Sequence, residues 1–169
     1  MLYLLDANVM ITANNSYYPL DRVPEFWEWL VHMGNAGHLK MPIENLEEIT
    51  NGTDDLADWL KAPEHKEAIC LDESVDITLL QQCTAHGYAP DLNDTEVVKL
   101  GKDPFLIAYA MAAPQARCVV TTEVSKPSLM RANRHVPDVC NTLGIQWINS
   151  FGLLRALDFS TGWKTKVAV

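Results

Sequence analysis

Basic residues are scarce in this sequence. Thirteen Lys and Arg stand against 22 Asp and Glu, which gives a formal net charge of −9. A protein that coats nucleic acid relies on Lys and Arg to neutralise phosphates, so the charge argues against that class. An enzyme that approaches phosphates through metal ions held by carboxylates remains compatible with it, and so does a protein whose partner supplies the basic surface.

Long apolar runs, a signal peptide and paired cysteine motifs are also missing. No stretch of about 18 apolar residues predicts a membrane span, and the N-terminus has neither a basic segment nor a small-residue cleavage site. These absences predict a cytoplasmic protein without a membrane segment. The four cysteines are widely separated, so we expect reduced thiols in or near the core: Cys70, Cys83, Cys118 and Cys140.

Strand and helix patterns alternate along the 169 residues, without internal repeats or low-complexity segments. Strands are predicted at residues 3–7, 38–42, 117–121 and 145–148, with helices between them. This alternation predicts an α/β fold, a three-layer α/β/α sandwich with a central, mostly parallel sheet. We assign residues 1–157 to a single domain and expect a loosely held tail at 158–169.

Proline, glycine and turn-forming residues predict several boundaries of the helices. A helix is predicted to begin at Pro24, and Gly144 is predicted to end a later helix. Pro63 is predicted to close the helix of residues 56–61. Residues 14–21 are rich in turn formers and are predicted to form a loop.

Acidic residues stand where strands end or helices begin. Asp6 follows the first apolar strand and Glu123 follows a later one, so a parallel sheet would bring both to its carboxyl edge, where ligands bind. Asp103 opens an apolar helix, and a short helix carries Glu44 and Glu48. Carboxylates that converge on one cleft favour hard cations such as Mg²⁺ or Mn²⁺. Such a pocket is typical of metal-assisted cleavage of phosphodiesters.

Each of these acids also has a purely structural interpretation. Asp6 could cap the turn that follows it, and Asp103 before Pro104 has the pattern of a helix N-cap. Glu123 could be an exposed loop acid, and the glutamates could form a solvated helix face. In isolation these alternatives stay open, and only the combination of acids favours a functional site.

The order of the acidic motifs resembles the PIN domain, the nuclease fold of VapC-type toxins. Asp6-Ala7-Asn8-Val9 is followed by a Glu-hydrophobic-x-x-Gly pattern, by an Asp that opens an Ala-rich helix, and by Val-Val-Thr-Thr-Glu on a late strand. Longer blocks resemble one PIN-like branch, the DUF4411 family, over roughly residues 2–157. These blocks are Tyr17-Tyr18-Pro19, Phe26–Leu30, Asp54–Trp59, Asp103–Ala110 and Pro137–Cys140.

The PIN resemblance implies roles for the residues that match its pattern. Asp6 and Asp103 match the first and third metal-binding acids, and Asn8 matches the small polar residue that supports them. The second acid is Glu48, because Glu48 and the residues up to Gly52 have the spacing of the family.

Two positions of the pattern are less regular. Glu44 lies one helical turn before Glu48, on the same face, and could replace it as the second acid. The fourth acid of the family is usually Asp and follows a Thr. In this chain Glu123 takes its place, and Thr121 is the supporting residue.

The resemblance implies a Mg²⁺- or Mn²⁺-dependent endoribonuclease, the toxin of a type II toxin–antitoxin pair, with RNA as substrate, a cognate antitoxin and a homodimer. One alternative is a catalytically inactive PIN-like module that binds a partner protein. Another is a haloacid-dehalogenase-type phosphatase, whose chemistry needs a second Asp where this chain has Asn8. A Rossmann dinucleotide site is disfavoured, since no G-x-G-x-x-G follows the first strand.

Basic and aromatic residues allow two interpretations each. Lys126, Arg131 and Arg134 follow the late strand, and they could hold substrate phosphates or belong to a solvated loop. Tyr17 and Tyr18 could stack on RNA bases. Paired aromatic residues before a proline are more often part of a packed core or an interface, which is the interpretation that we favour.

Overall fold

The computed structural model describes residues 1–167, and its centre is a sheet of four strands in the order β2-β1-β3-β4. Every neighbouring pair of strands is parallel. Because the strands run in one direction, their carboxyl ends share one edge of the sheet. The strands are β1 (Leu2–Leu5), β2 (Leu39–Lys40), β3 (Arg117–Val120) and β4 (Trp147–Ile148).

Eleven α-helices lie within residues 1–167. The helices before β3 are α1 (Ala7–Thr12), α2 (Pro24–Asn35), α3 (Ile43–Thr50), α4 (Asp55–Lys61), α5 (Pro63–Ile69), α6 (Ile77–Gln82), α7 (Asp94–Leu100) and α8 (Asp103–Met111). Those after it are α9 (Val136–Leu143), α10 (Ser150–Ala156) and α11 (Trp163–Val167). π-Helical turns extend α1 and α6, at Ala13–Tyr17 and Cys83–Tyr88.

Helices cover both faces of the sheet, as the mostly apolar strands β1 and β3 require. Successive side chains of a strand point to opposite faces. Leu5 and Val120 accordingly pack in one hydrophobic cluster with residues of α1, α2 and α3. Leu4 and Val119 pack in a second cluster with residues of α8 and α9. This arrangement confirms the predicted α/β sandwich with a parallel sheet.

Several predicted boundaries agree with the structure. α2 begins at Pro24, and α9 ends at Gly144, whose φ of 69° is the left-handed conformation that glycine adopts without strain. The predicted loop at 14–21 is wrong in its first part, since the π-helical turn continues to Tyr17. α4 ends before Pro63, as predicted, but Pro63 also begins α5, which the sequence pattern did not predict.

The chain after α10 packs onto the core, although the sequence predicted a loosely held tail. The ring of Phe159 meets the ring of Phe26 edge to face, with centroids 5.5 Å apart. Trp163 is 8% exposed, and its Nε1 donates a hydrogen bond of 2.9 Å to the carbonyl oxygen of Glu25. The prediction is therefore wrong for residues 158–166, while residues 168 and 169 lie outside the described chain.

Cysteines and membrane segments agree with their predictions. All four cysteines are free thiols; Cys70 is half-buried and the other three are buried. Burial raises the pKa of these thiols, which keeps them protonated and unreactive. No helix in the described part of the chain has the length and apolar composition that a membrane span requires.

Gly34 sets the distance between α2 and α5. A β-carbon at this position would overlap the carbonyl oxygen of Ala68, a backbone atom that cannot turn away. Only glycine therefore allows the two helices to pack this closely, and the contact holds α5 beside β2.

We expect Gly34→Ala to destabilise the fold, because α2 and α5 must move apart to admit the methyl group. Overpacking of this kind costs about 1–3 kcal/mol of the free energy of unfolding. Chemical denaturation of the wild type and the variant measures the difference. Gly162→Ala is the matched control, since only the side-chain oxygen of Thr165, at 3.9 Å, approaches its β-carbon. Equal losses in both variants would contradict the steric explanation.

Candidate functional site

The site lies where the order of the strands reverses direction. From the central pair β1 and β3, the chain continues to β2 on one side and to β4 on the other. In open α/β sheets such a switch point opens a crevice at the carboxyl ends of the two strands, and ligands bind there. Asp6 and Thr121 are the residues that directly follow β1 and β3, so the topology brings them together at this crevice.

Hydrogen bonds hold the Asp6 carboxylate in one orientation. Its Oδ2 accepts from Asn8 Nδ2 at 2.5 Å and from Thr121 Oγ1 at 2.8 Å. Asn8 Oδ1 accepts from the backbone N–H of Thr122 at 2.9 Å, which ties the start of α1 to the end of β3. Asp6 Oδ1 receives only a long contact of 3.4 Å from the Asn8 backbone N–H. Asp6 therefore caps α1, as one interpretation held, and still keeps an oxygen available for a ligand.

Asp103 does not act as a helix cap, and the N-cap interpretation of this residue is wrong. Lys102 occupies the cap position of α8 and makes no side-chain capping bond, and Asp103 is the first residue of the helix. Burial is the main reason that the pKa of Asp103 is raised to about 8, and the negative charges of Asp6, Glu123 and Glu48 raise it further.

The pKa of Asp6 is also raised. Its side chain is only 4% exposed, and burial raises its pKa to about 6. The hydrogen bonds from Thr121 and Asn8 oppose this shift, while the charges of Glu123 and Glu48 add to it. Glu48 and Glu123 therefore lie close enough to both Asp6 and Asp103 for their charges to raise the pKa of those two acids.

Glu48 rather than Glu44 belongs to this group. The Glu48 carboxylate lies beside the turn between α7 and α8, where Oε1 would be 3.6 Å from a β-carbon on Gly101. Burial raises the pKa of Glu48, and the charge and backbone N–H of Lys102 oppose the shift. Glu44 instead approaches Tyr109, whose pKa rises to about 12 through burial and then through the Glu44 charge.

Gly101 brings Asp103 to the other acids. The link between α7 and α8 has only two residues, and Gly101 adopts a φ of 56° within it. Residues with a β-carbon rarely take this conformation. Our sequence reasoning did not identify Gly101 or Lys102, although a glycine two residues before an Asp-Pro helix start is a signal for such a turn.

Glu123 is held at the start of α9. Its Oε2 accepts from the Val136 backbone N–H at 2.7 Å, and its own N–H donates to Thr121 Oγ1 at 3.2 Å. It is thus half-buried and fixed, not a freely exposed loop acid. The other carboxylate oxygen remains the one that can meet a ligand.

The buried Asp138 positions the loop that follows Glu123. Its Oδ1 accepts from Ser125 Oγ at 2.5 Å, and its Oδ2 accepts from the Lys126 backbone N–H at 2.8 Å. The sequence reasoning noticed Asp138 only as part of a longer block. An acid inside the apolar stretch Val136–Cys140 could have indicated this supporting role, since buried acids need partners.

The three predicted basic residues differ in what their side chains contact. Arg131 pairs with Glu96 at 2.6 Å and with Asp91 at 2.7 Å. Arg134 donates to the carbonyl oxygens of Gly87 and Asp138 and to the hydroxyl of Thr142. Both cations hold the local fold together, so the phosphate-binding role predicted for them is disfavoured.

Lys126 is the member of this trio that can still reach a phosphate. Its backbone N–H is engaged by Asp138, while its side chain is exposed and has no ion-pair partner among residues 1–167. Lys102, which the sequence reasoning missed, supplies a second positive charge beside Glu48.

The donor set suits a hard divalent cation held by few protein ligands. Within residues 1–167, no three His, Cys, Asp or Glu side chains stand close enough to hold a metal ion together. Mg²⁺ commonly binds through one or two carboxylates and completes its shell with water and substrate phosphates. Carboxylate oxygens that repel each other in a buried crevice fit such a cation, so Asp6 and Asp103 are the residues that would hold it.

We expect Asp103→Asn to stabilise the protein at high pH in the absence of divalent cations. An acid whose pKa rises from 3.8 to about 8 on folding contributes its stability below pH 3.8 and loses it as the pH rises through about 8. The neutral amide removes that loss. The melting temperature of the variant should exceed that of the wild type by about 2–4 °C per kcal/mol at high pH.

Thermal unfolding in EDTA at acidic and alkaline pH measures this difference. Glu47→Gln, which removes an exposed carboxylate from α3, is the control and should change the pH dependence little. A destabilised Asp103→Asn protein at alkaline pH would contradict the repulsion that we describe.

Comparison with known proteins identifies a family but no characterised relative. A family model described as Domain of unknown function (DUF4411) matches residues 3–161. No curated protein and no solved structure matches the chain significantly. The matched region includes all four acids and confirms the resemblance to the DUF4411 family that the longer sequence blocks indicated. The chain therefore belongs to the DUF4411 family.

Proposed function

We propose that this protein is a Mg²⁺- or Mn²⁺-dependent endoribonuclease that hydrolyses phosphodiester bonds of RNA. The observation that carries the proposal is the position of Asp6 and Asp103. Asp6 directly follows β1 at the switch point of the sheet, with its carboxylate oriented by Asn8 and Thr121. Asp103 lies close enough for the charge of Asp6 to act on it, and burial and then neighbouring carboxylates raise the pKa of both acids. Perturbed acids in a crevice are typical of functional sites.

A bound cation would offset the free-energy cost of burying these carboxylates beside each other. Like charges in a buried crevice destabilise the fold unless they are protonated or neutralised. Raised pKa values near neutrality mean that a divalent cation competes with protons for the same oxygens. When bound, Mg²⁺ or Mn²⁺ polarises the phosphoryl group, favours ionisation of water and stabilises the leaving oxygen.

The side chains around the cation have different roles in the proposed reaction. Thr121 and Asn8 hold Asp6 Oδ2, so that Oδ1 faces the ligand in a fixed orientation. Asp103 presents its carboxylate from the first turn of α8. Lys126 and Lys102 offer positive charges that can hold substrate phosphates on either side of the reacting bond.

Glu48 and Glu123 complete the acidic group. They are less buried than Asp6, and one carboxylate oxygen of Glu123 already accepts a hydrogen bond from the backbone N–H at the start of α9. We infer that they bind water or a second cation rather than form the primary site. The longer side chain of Glu123, where the PIN pattern has Asp, fits this more peripheral role.

The phosphatase alternative is weakened by the contacts of Asn8. A haloacid-dehalogenase-type reaction needs an acid at this position to transfer a proton. The Asn8 amide is neutral, and both its ends are engaged, with Asp6 and with the Thr122 backbone. An inactive binding module remains the second candidate, favoured because no three acid, His or Cys side chains within residues 1–167 are placed to hold a metal ion together.

We extend the proposal to the cellular role that the PIN resemblance implies. The protein would be a cytoplasmic toxin of a type II toxin–antitoxin pair, a homodimer inhibited by a cognate antitoxin. A net charge of −9 suits an antitoxin whose contact segment is basic.

We expect purified protein to cleave RNA only when Mg²⁺ or Mn²⁺ is present. Asp6→Asn and Asp103→Asn should each lower the rate by about 100-fold or more, and Glu48→Gln by about 10–100-fold, the range for residues that only support metal ligands. Glu44→Gln is the matched control on α3, because Glu44 faces Tyr109 instead of the site.

Gel analysis of total RNA and tRNA with equal amounts of each protein measures these rates. Cleavage at the same rate by wild type and all variants would overturn the mechanism. No cleavage by folded wild type would favour the binding module.

We also expect Mn²⁺ to raise the melting temperature of the wild type near neutral pH. A ligand at about 100 times its Kd adds about 2.7 kcal/mol to the free energy of unfolding. The shift should be much smaller in Asp6→Asn and Asp103→Asn, which lack one carboxylate, and unchanged in Glu44→Gln. Differential scanning fluorimetry across a Mn²⁺ titration, without RNA, measures it. A shift of the same size in all four proteins would place the cation elsewhere.

A further inference from the structure

A groove of about 620 Å³ lies along the carboxyl edge of the sheet, next to the acids. One wall is formed by the segment after β3, which includes Thr122, Glu123 and Ser125. The aromatic part of the lining consists of Tyr17, Trp147 and Phe151. Glu123 belongs both to the lining of the groove and to the acidic group. The groove is therefore continuous with the candidate active site.

Tyr17 and Phe151 remain largely in water although they are held in place. They are 55% and 45% exposed, and their rings meet edge to face with centroids 5.3 Å apart and an angle of 72° between the planes. Two large aromatic side chains at the mouth of a groove expose apolar surface that a ligand could cover. Such exposed apolar patches beside a site commonly mark recognition surfaces.

Tyr17 is exposed at the groove, whereas its neighbour Tyr18 packs against the core. The ring of Tyr18 stacks on Phe26, with centroids 4.4 Å apart, and belongs to the core. The π-helical turn after α1 rotates Tyr17 to the outside, where it meets Phe151. Only one of the two tyrosines is therefore free to stack on a ligand.

Unsatisfied hydrogen-bonding groups line the same groove. The hydroxyl of Ser150 is buried and has no hydrogen-bond partner within the described residues. Asn149 uses its Oδ1 to cap α10, by accepting from the Gly152 N–H at 2.8 Å. Its amide nitrogen can donate to an acceptor in the groove.

We propose that the groove holds an unpaired base of single-stranded RNA, stacked on the ring of Tyr17 or Phe151. The inference rests on the proposed ribonuclease function and assigns a base-binding subsite beside the acids. A base has an apolar π face for the rings and a polar edge for Ser150 and Asn149. A nucleotide whose base lies here has its phosphate beside Glu123, at the end of the groove that meets the acids.

Single-stranded RNA fits these features better than a duplex or a peptide. Bases in a duplex are stacked on each other and offer no free face to an aromatic side chain. An acidic site at one end of the groove fits a phosphate approached through a cation. The groove is thus the place where an unpaired nucleotide next to the cleaved bond binds.

Fluorescence anisotropy with a labelled single-stranded oligoribonucleotide and its duplex tests the inference. The measurements use Mg²⁺ and the Asp103→Asn background, so that the probe stays intact. We expect Tyr17→Ala and Phe151→Ala to weaken single-strand binding about 10-fold or more. Tyr17→Phe should keep the affinity, and the duplex should bind weakly to every protein. Ile77→Ala is the control, since it removes an exposed apolar side chain from α6, which does not line the groove.

The cleavage assay with otherwise wild-type protein separates the two proposals. If the wild type cleaves RNA but both alanine variants bind and cleave like it, the groove is not a base site and the ribonuclease proposal stands. If single-strand binding depends on Tyr17 while no protein cleaves RNA, the base site stands and the nuclease proposal fails. If the alanine variants keep RNA affinity but change from dimer to monomer in sedimentation, the groove is a protein interface and the inference is overturned.

Discussion

The burial of two carboxylates, Asp6 and Asp103, with further acids beside them is the constraint around which this site is built. Burial and neighbouring acids raise the pKa of Asp6 to about 6 and that of Asp103 to about 8. A domain is stable by only about 5–15 kcal/mol, so such a group must be compensated. Hydrogen bonds from Thr121 and Asn8 provide part of the compensation at Asp6. Asp103 lies inside the first turn of α8 and not at its cap position, which leaves its charge to be met by a proton or a cation.

The packed layers keep the acids in place against this repulsion. β1 and β3 are buried on both faces between two hydrophobic clusters, so the residues that follow them cannot separate without opening the sheet. The segment after β3 is held by two carboxylates. Glu123 accepts a hydrogen bond from the N–H of Val136 at the start of α9, and Asp138 accepts one from the hydroxyl of Ser125. A rigid surround of this kind is what allows charged groups to be presented in a defined geometry.

The site and the neighbouring groove are complementary in chemistry. The acids suit a cation and the phosphate it carries, and the ring of Tyr17 beside Phe151 suits the flat face of a base. Glu123 stands between the two regions. A nucleotide is the ligand that combines a phosphate with a flat base, and this combination is why we favour RNA over a protein partner for this surface.

Much of this could be predicted from the sequence, because strands and helix starts are local patterns. Apolar runs placed β1 and β3, and the acids after them and at the start of α8 were identified as candidate ligands. Sequence alone did not decide between Glu44 and Glu48, which share one helix, nor between Tyr17 and Tyr18, which are adjacent. It also suggested that Asp103 was a cap and that Arg131 could bind phosphate. Tertiary structure decided these points, because the direction of a side chain and the partner of a charge depend on what packs beside them: Glu44 meets Tyr109, Arg131 meets Glu96, and Gly101 turns Asp103 towards Asp6.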